Sequence, residues 1–325
     1  YEQVFGSEHP VVGAILQHLI QIEKTLKHYA QAAQYAQRAA KINMQVPGPE
    51  AEEVAGMLGH VALRYLSQGL YPIAETLIEQ TLALYNQTLG SDHPTIADLL
   101  SNIAQLYLQH RQYTEAEPRL QQALHIYEQA LGQDHPKVVD LLAHLSQSHG
   151  LQGHYEEAIS LNERALQTVE EALGPNHYQV IFQLIPLARW YQDAKQYANA
   201  ELTLKRTLKL MSVVAGPEHP LVGRTFHKLG KLYQELHRYK EAEAHYLQAL
   251  AMHEQVHGED HHETAQLLHQ MVSLFFEQGK IEEGLHYSTR LLTILTKLSG
   301  PDADDPLSLL QQEMLNQPMR KDYLN

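Results

Sequence analysis

Glycine recurs along this chain every 42 residues without a slip, at Gly6, Gly48, Gly90, Gly132, Gly174, Gly216, Gly258 and Gly300. Self-similarity at a fixed period of this size marks a stacked array of identical supersecondary units. Two more columns keep the same register. One is Tyr29, Tyr71, Tyr113, Tyr155, Tyr197, Tyr239 and then Ile281; the other is Ala32, Ala74, Ala116, Ala158, Ala200, Ala242 and then Gly284. At 325 residues, length alone would predict about two globular domains. The period overrides that prior, because arrays grow in one dimension without a single central core.

Each period reads as two helices. In residues 90–132, Pro94 suits the first position of the first helix, where its missing N–H has no intrahelical partner to lose. His93, directly before a proline, is pushed out of helical backbone and suits a cap. Asp92 puts negative charge at the positive end of the helix. Ile96, Leu99, Leu100, Ile103, Ala104 and Tyr107 then recur at helical spacing. HRQY (110–113) breaks the pattern, and Thr114 with Glu117 predicts a capping box for the second helix. Ala116, Leu120, Ala123, Leu124 and Tyr127 form its apolar stripe, and Gly132 ends it.

Small residues at Ala62, Ala104, Ala188 and Gly230 precede an aromatic three later, at Tyr65, Tyr107, Tyr191 and Tyr233. Ala74, Ala116, Ala200 and Ala242 are followed seven later by Thr81, Ala123, Thr207 and Ala249. This spacing resembles the tetratricopeptide repeat. The 42-residue length, the LGxDHP link, and the phrases YxEAE and ALxIYE are similar to the kinesin-light-chain type of that repeat. The resemblance covers about residues 1–300. It implies an all-α fold, a right-handed α-solenoid (superhelix) of about seven helix-turn-helix units with the first helices lining its concave side. The units predicted are 6–47, 48–89, 90–131, 132–173, 174–215, 216–257 and 258–299. Small residues at the columns let helices approach closely while tyrosine fills the adjoining space. Beyond Gly300 the pattern changes: residues 301–325 are predicted to be a capping helix over 305–317, started by Asp305-Pro306, and a loose tail. At the other end, YEQVFGSEHP (1–10) echoes YEQALGQDHP (127–136), three periods on. The expectation is that Tyr1 falls in the last turn of a second helix and that the natural protein extends upstream.

The resemblance implies non-catalytic binding of a peptide or protein segment in the concave groove. The face packed inward in 90–132 holds 100, 103, 104 and 107, so the free face holds 98, 101, 102, 105 and 109. Column 102 supplies His60, Asn102, His144 and Lys228; column 105 supplies Gln105, Gln147, Arg189 and Lys231; column 101 supplies His227. Kinesin light chains carry paired asparagines in an LNNLA phrase here to hold a cargo peptide's backbone. The present chain reads LSNIA (100–104), LAHLS (142–146), LIPLA (184–188) and FHKLG (226–230), keeping only Asn102. The kinesin cargo role is therefore not carried over. The remaining hydrogen-bonding side chains suit a peptide backbone. Residues 174–257 carry 10 Lys and Arg against 7 Asp and Glu, whereas the rest of the chain carries 14 against 31. Arg189, Arg224, Lys228 and Lys231 share the free face of adjacent units and predict a basic pocket for an acidic or carboxylate-bearing segment. Pro186 removes a hydrogen bond to Phe182 inside a first helix and predicts a local kink. The alternative function, carried by the same resemblance, is a ligand-sensing or regulatory segment of a larger protein with an upstream switch ATPase, protease or effector domain.

His9, His93, His135, His177, His219 and His261 recur in the link and are assigned capping and packing roles. Successive links lie at least a helix diameter apart, too far to share a metal ion. His257, His261 and His262 are close in sequence, but the reading adopted has no metal and no cofactor. No glycine-rich phosphate loop, HExxH or nucleophile motif occurs, so no enzyme activity is expected. A net charge of −14 argues against a nucleic-acid partner. No apolar run is long enough to span a membrane, the first residues do not form a signal peptide, and membranes are not expected as partners. With no cysteine at all, a cytoplasmic location is expected.

Overall fold

The structure is a computed structural model that describes Val4, Gly6 and residues 9–45 and 51–299. The capping helix expected at 305–317, the tail, and the link around Gly48 lie outside the described residues. Fourteen helices occupy the described residues, and no strand does. They divide into two compact units, one up to Ala172 and one from Leu173.

In the first unit, first and second helices alternate: α1 (Pro10–Thr25), α2 (Tyr29–Gln45), α3 (Ala51–Ser67), α4 (Tyr71–Leu89), α5 (Pro94–Gln109), α6 (Tyr113–Leu131), α7 (Pro136–Leu151) and α8 (Tyr155–Leu173). Helices α1 and α2, α3 and α4, and α5 and α6 pack in pairs, and α3 also touches α1 and α5. In the fourth pair, Ser146 Oγ of α7 donates to Ala158 C=O of α8 at 2.7 Å. The apolar columns meet between the helices. Ile96, Leu100, Ile103, Ala104, Leu120 and Ala123 are all within 1 % of complete burial. Each larger member contributes about 1.5–3 kcal/mol by leaving water. The second unit repeats the plan with α9 (Tyr178–Asp193), α10 (Tyr197–Val214), α11 (Pro220–Glu235), α12 (Tyr239–His257), α13 (His262–Glu277) and α14 (Ile281–Ser299). Gly230 takes the small-residue position, and the ring of Tyr246, fully buried, fills the space a methyl group would occupy.

Two kinds of turn set the period. The link between repeats passes through a glycine: Gly90 has φ 86° and ψ 158°, Gly132 has 89° and 161°, Gly258 has 86° and 168°. That backbone region is essentially closed to residues with a Cβ, which explains why this column never varies. The histidine three residues on then caps the next helix. Its Nδ1 accepts the N–H two residues ahead, at 3.2–3.3 Å, at His9, His93, His135, His177, His219 and His261. The expected capping role of the link histidines is therefore present in every described link that has one.

The turn inside a repeat is different. After α5, Gln112 N–H donates to Tyr107 C=O at 2.8 Å and Arg111 N–H to Leu108 C=O at 3.0 Å. This crossed pair is a Schellman motif, and it requires a left-handed residue between the helices. The same column holds Lys27, Gly69, Arg111, Gly153, Lys195, His237 and Gly279, with φ from 56° to 87°. The expected Thr114–Glu117 capping box is not formed. The Schellman turn delivers the chain early, α6 begins at Tyr113, and Thr114 falls inside its first turn, bonding Glu115 at 2.6 Å. The cap residue Gln112 uses no side chain. Helix α9 continues through Pro186, and α6 through an exposed Pro118.

Candidate functional site

The first helices present two unlike faces. In α5, positions 100, 103, 104 and 107 are buried while 98, 102, 105 and 109 are exposed. Four of the five positions that helical spacing assigns to the free face are therefore exposed, and position 101 is half-buried. In the first unit it carries His60, Asn102, Gln105 and Gln147, all exposed, and His144, half-buried. These are neutral donors and acceptors. Partial burial, then the charge of Lys24, holds His60 below the ordinary histidine pKa. Burial lowers His144 too, partly opposed by Asp140, and its Nδ1 is shut from water without a hydrogen-bond partner.

The second unit puts cations on the same face. Arg224, His227, Lys228 and Lys231 from α11 line a cleft of about 270 Å³ together with His253 of α12 and Glu263 and Gln266 of α13. Arg189 does not line the cleft, yet it is near enough to act on it. Burial pushes the Lys228 ammonium below the usual lysine range, and the charges of Arg189, Lys231 and Arg224 push it further. No carboxylate offsets this shift. His227 is driven down to about 4, first by burial and then by His253, Lys231 and Lys228. An anion entering the cleft would relieve this field, because a charge-assisted contact gains most where the cation is partly desolvated.

The four predicted cations do not form one free cluster. Arg189 sits over the Trp190 ring and pairs with Asp193 at 3.5 Å. Arg224 is bonded to Glu263 Oε1. Of the four, Lys228 and Lys231 pair with no acidic group among the described residues, whereas Arg189 and Arg224 each do. Spacing on α11 marked the basic wall, but the acidic wall was missed. Glu263 reaches the cleft from the next repeat, and its sequence position beside a link histidine resembles an ordinary helix-start carboxylate.

A model of the tetratricopeptide repeat matches residues 53–129, 111–171, 141–211, 181–255 and 222–297. No curated protein sequence matches. Among solved structures, Podosopora anserina putative kinesin light chain nearly identical TPR-like repeats are 25 % identical, cover 65 % of this chain and 99 % of their own, with a TM-score of 0.55. BtubC (BKLC) from P. vanneervenii is 16 % identical at a TM-score of 0.59, over 77 % of this chain and 94 % of its own. Aspartyl phosphate phosphatase F from Bacillus subtilis reaches 0.60 at 14 % identity, over 93 % of this chain and 78 % of its own. The fold of these helix pairs is therefore an α-solenoid of helical repeats. No described helix is long and apolar enough to cross a membrane. With helix pairs at a 42-residue step and family matches spanning most of its length, the chain belongs to the tetratricopeptide repeat family, whose arrays serve as protein-interaction scaffolds.

Proposed function

We propose that this chain binds a peptide or protein segment along the free faces of its first helices without catalysing a reaction. In the second unit, Lys228 and Lys231 receive an acidic or carboxylate-bearing group. In the first unit, His60, Asn102, Gln105, His144 and Gln147 meet peptide-backbone donors and acceptors. The observation that carries the reading is Lys228. It is a half-buried ammonium at a cleft wall, pressed toward neutrality by burial and three like charges, with no carboxylate opposing them. Arg224 and His227 complete the wall, and Arg189 reinforces the positive field from α9.

The test uses two fluorescent peptides of one sequence, one bearing a run of Asp and the other Asn at those positions. Binding is read by anisotropy at two salt concentrations. The acidic peptide should bind more tightly, and less so at high salt. Reversing both charges, Lys228→Glu with Lys231→Glu, should weaken it by about tenfold or more, since hydrogen bonds to charged groups contribute roughly 1.5–3 kcal/mol each. The Asn peptide should be nearly indifferent to the change. Equal affinity of the variant and the parent for the acidic peptide would remove the proposal.

A further inference from the structure

Three columns of the array break at one junction. The position of His253 holds Tyr85, Tyr127, Val169 and Met211 in four earlier repeats, all buried. The position of His257 holds Leu89, Leu131, Leu173 and Ala215. The position of Glu263 holds Thr95, Lys137, Gln179 and Leu221. Only between α12 and α13 do two imidazoles and a carboxylate replace them together. His253 and His257 lie one helical turn apart on α12, so both face the same way. Glu263 is in the first turn of α13, where His261 caps its N–H at 3.2 Å.

The three side chains converge. His253 Nδ1 is 3.2 Å from Glu263 Oε2, and His257 Nε2 is 3.3 Å from the same oxygen. All three potential ligand atoms lie within 4.8 Å of one another. His253 is 4 % exposed. Ordinary packing would satisfy these atoms with hydrogen bonds. Yet His257 Nε2 and Glu263 Oε2, both shut from water, reach hydrogen-bond geometry with no described group. For ligands about 2.0–2.1 Å from a tetrahedral ion, neighbouring donor atoms stand roughly 3.3 Å apart. Two of the three separations have that length already.

We propose that His253, His257 and Glu263 form a binding site for a divalent transition-metal ion of the zinc class. Two neutral imidazoles and one carboxylate are a donor set suited to Zn²⁺ and the neighbouring borderline ions, and unsuited to Ca²⁺ or Mg²⁺. The surroundings hold the ligands in place. Arg224 occupies the other oxygen of Glu263, leaving Oε2 turned to the histidines. His261 stacks on the His257 ring at 4.5 Å. Three protein ligands leave a fourth position for water. The ion would tie the end of α12 to the start of α13, one repeat to the next. Two of its ligands, His253 and Glu263, also line the cleft that carries Lys228 and Lys231, and the ion is proposed whatever those lysines bind.

The test is a titration of the metal-free full chain with Zn²⁺, read by calorimetry, and with Co²⁺, read by its visible absorption. Any affinity tag is removed first, because 22 histidines already give the chain weak sites. The expected result is one site well resolved from the weak ones, with a Co²⁺ spectrum of tetrahedral type and a raised melting temperature. His257→Ala and Glu263→Gln should each weaken that site by at least the roughly 10–100-fold cost of losing an outer-shell partner. His257 lies at a helix end and is a quarter exposed, so its variant keeps the fold. Circular dichroism without metal checks that both variants do. Absence of a resolved site in the parent overturns the proposal. So does a site that survives both substitutions, or an octahedral Co²⁺ spectrum.

Discussion

The third and sixth repeats place the same backbone in the same columns and solve the packing differently. In the third, Ala104 faces a helix whose corresponding core residue is Leu120. In the sixth, the small residue shrinks to Gly230 and the partner grows to Tyr246. The tyrosine then uses the room to bring a hydroxyl to Gln234 Oε1 at 2.8 Å. Outside, Asn102 and Gln105 become Lys228 and Lys231; beneath, Tyr127 becomes His253. One frame therefore accepts a neutral, regular repeat and a charged, irregular one. The column positions fix where side chains point, and chemistry is free to vary as long as summed volume is kept.

Gly230→Ala should break the comparison most severely. A Cβ at 230 would meet Tyr246 ring carbons at 2.5 and 2.6 Å, and overpacking of this kind costs about 1–3 kcal/mol. Urea unfolding measures it. Adding Tyr246→Leu rebuilds the third repeat's pairing and should recover most of the loss. Full stability of the single variant would show that the two repeats are not different solutions at all.

The two turns offer a second contrast. Gly132→Ala in the link should destabilise by about 1–3 kcal/mol, because ψ near 161° lies outside the left-handed helical well. Arg111→Gly, in the Schellman column at φ 59°, should instead stabilise slightly, by up to about 1 kcal/mol. Melting temperatures that move in opposite directions support the distinction; movement in the same direction defeats it.

The smallest effect concerns column 102, where Asn102 in the third repeat becomes His144 in the fourth. The folded state holds His144 below its ordinary pKa, chiefly by burial. The unfolded chain then takes up a proton more readily. The advantage of the neutral ring is complete above about pH 6.5 and shrinks as pH falls below it. His144→Asn should make the stability curve flatter between pH 7 and 5. An unchanged slope in that range would count against this role.

Columns, caps and free faces were legible in the sequence because each repeats, and repetition separates pattern from accident. The Schellman column was not. Lys27, Arg111, Lys195 and His237 announce no left-handed turn, since only glycine advertises one by identity. The missed start of α6 follows from that. Thr114 and Glu117 fit the capping spacing, but the preceding turn had already placed the helix start. At the site, the lysines were visible because they share one helix face. The Arg189–Asp193 pair follows ordinary i,i+4 helical spacing, but the partner of Arg224 was not legible, because no spacing rule links Glu263 to a residue 39 positions earlier. The carboxylate that neutralises Arg224 and meets the two histidines belongs to the next repeat.

The link glycine has one further consequence. A joint with a single permitted geometry makes every repeat an interchangeable part. One inserted residue inside a helix would swing all later side chains by about 100°, whereas a whole block of 42 can be added, removed or transplanted with its register intact. Residues 216–257 could be moved in this way as a cassette, carrying Lys228 and Lys231 to a new place in the array, while the metal trio, split across the joint by Glu263, could not travel without its neighbour.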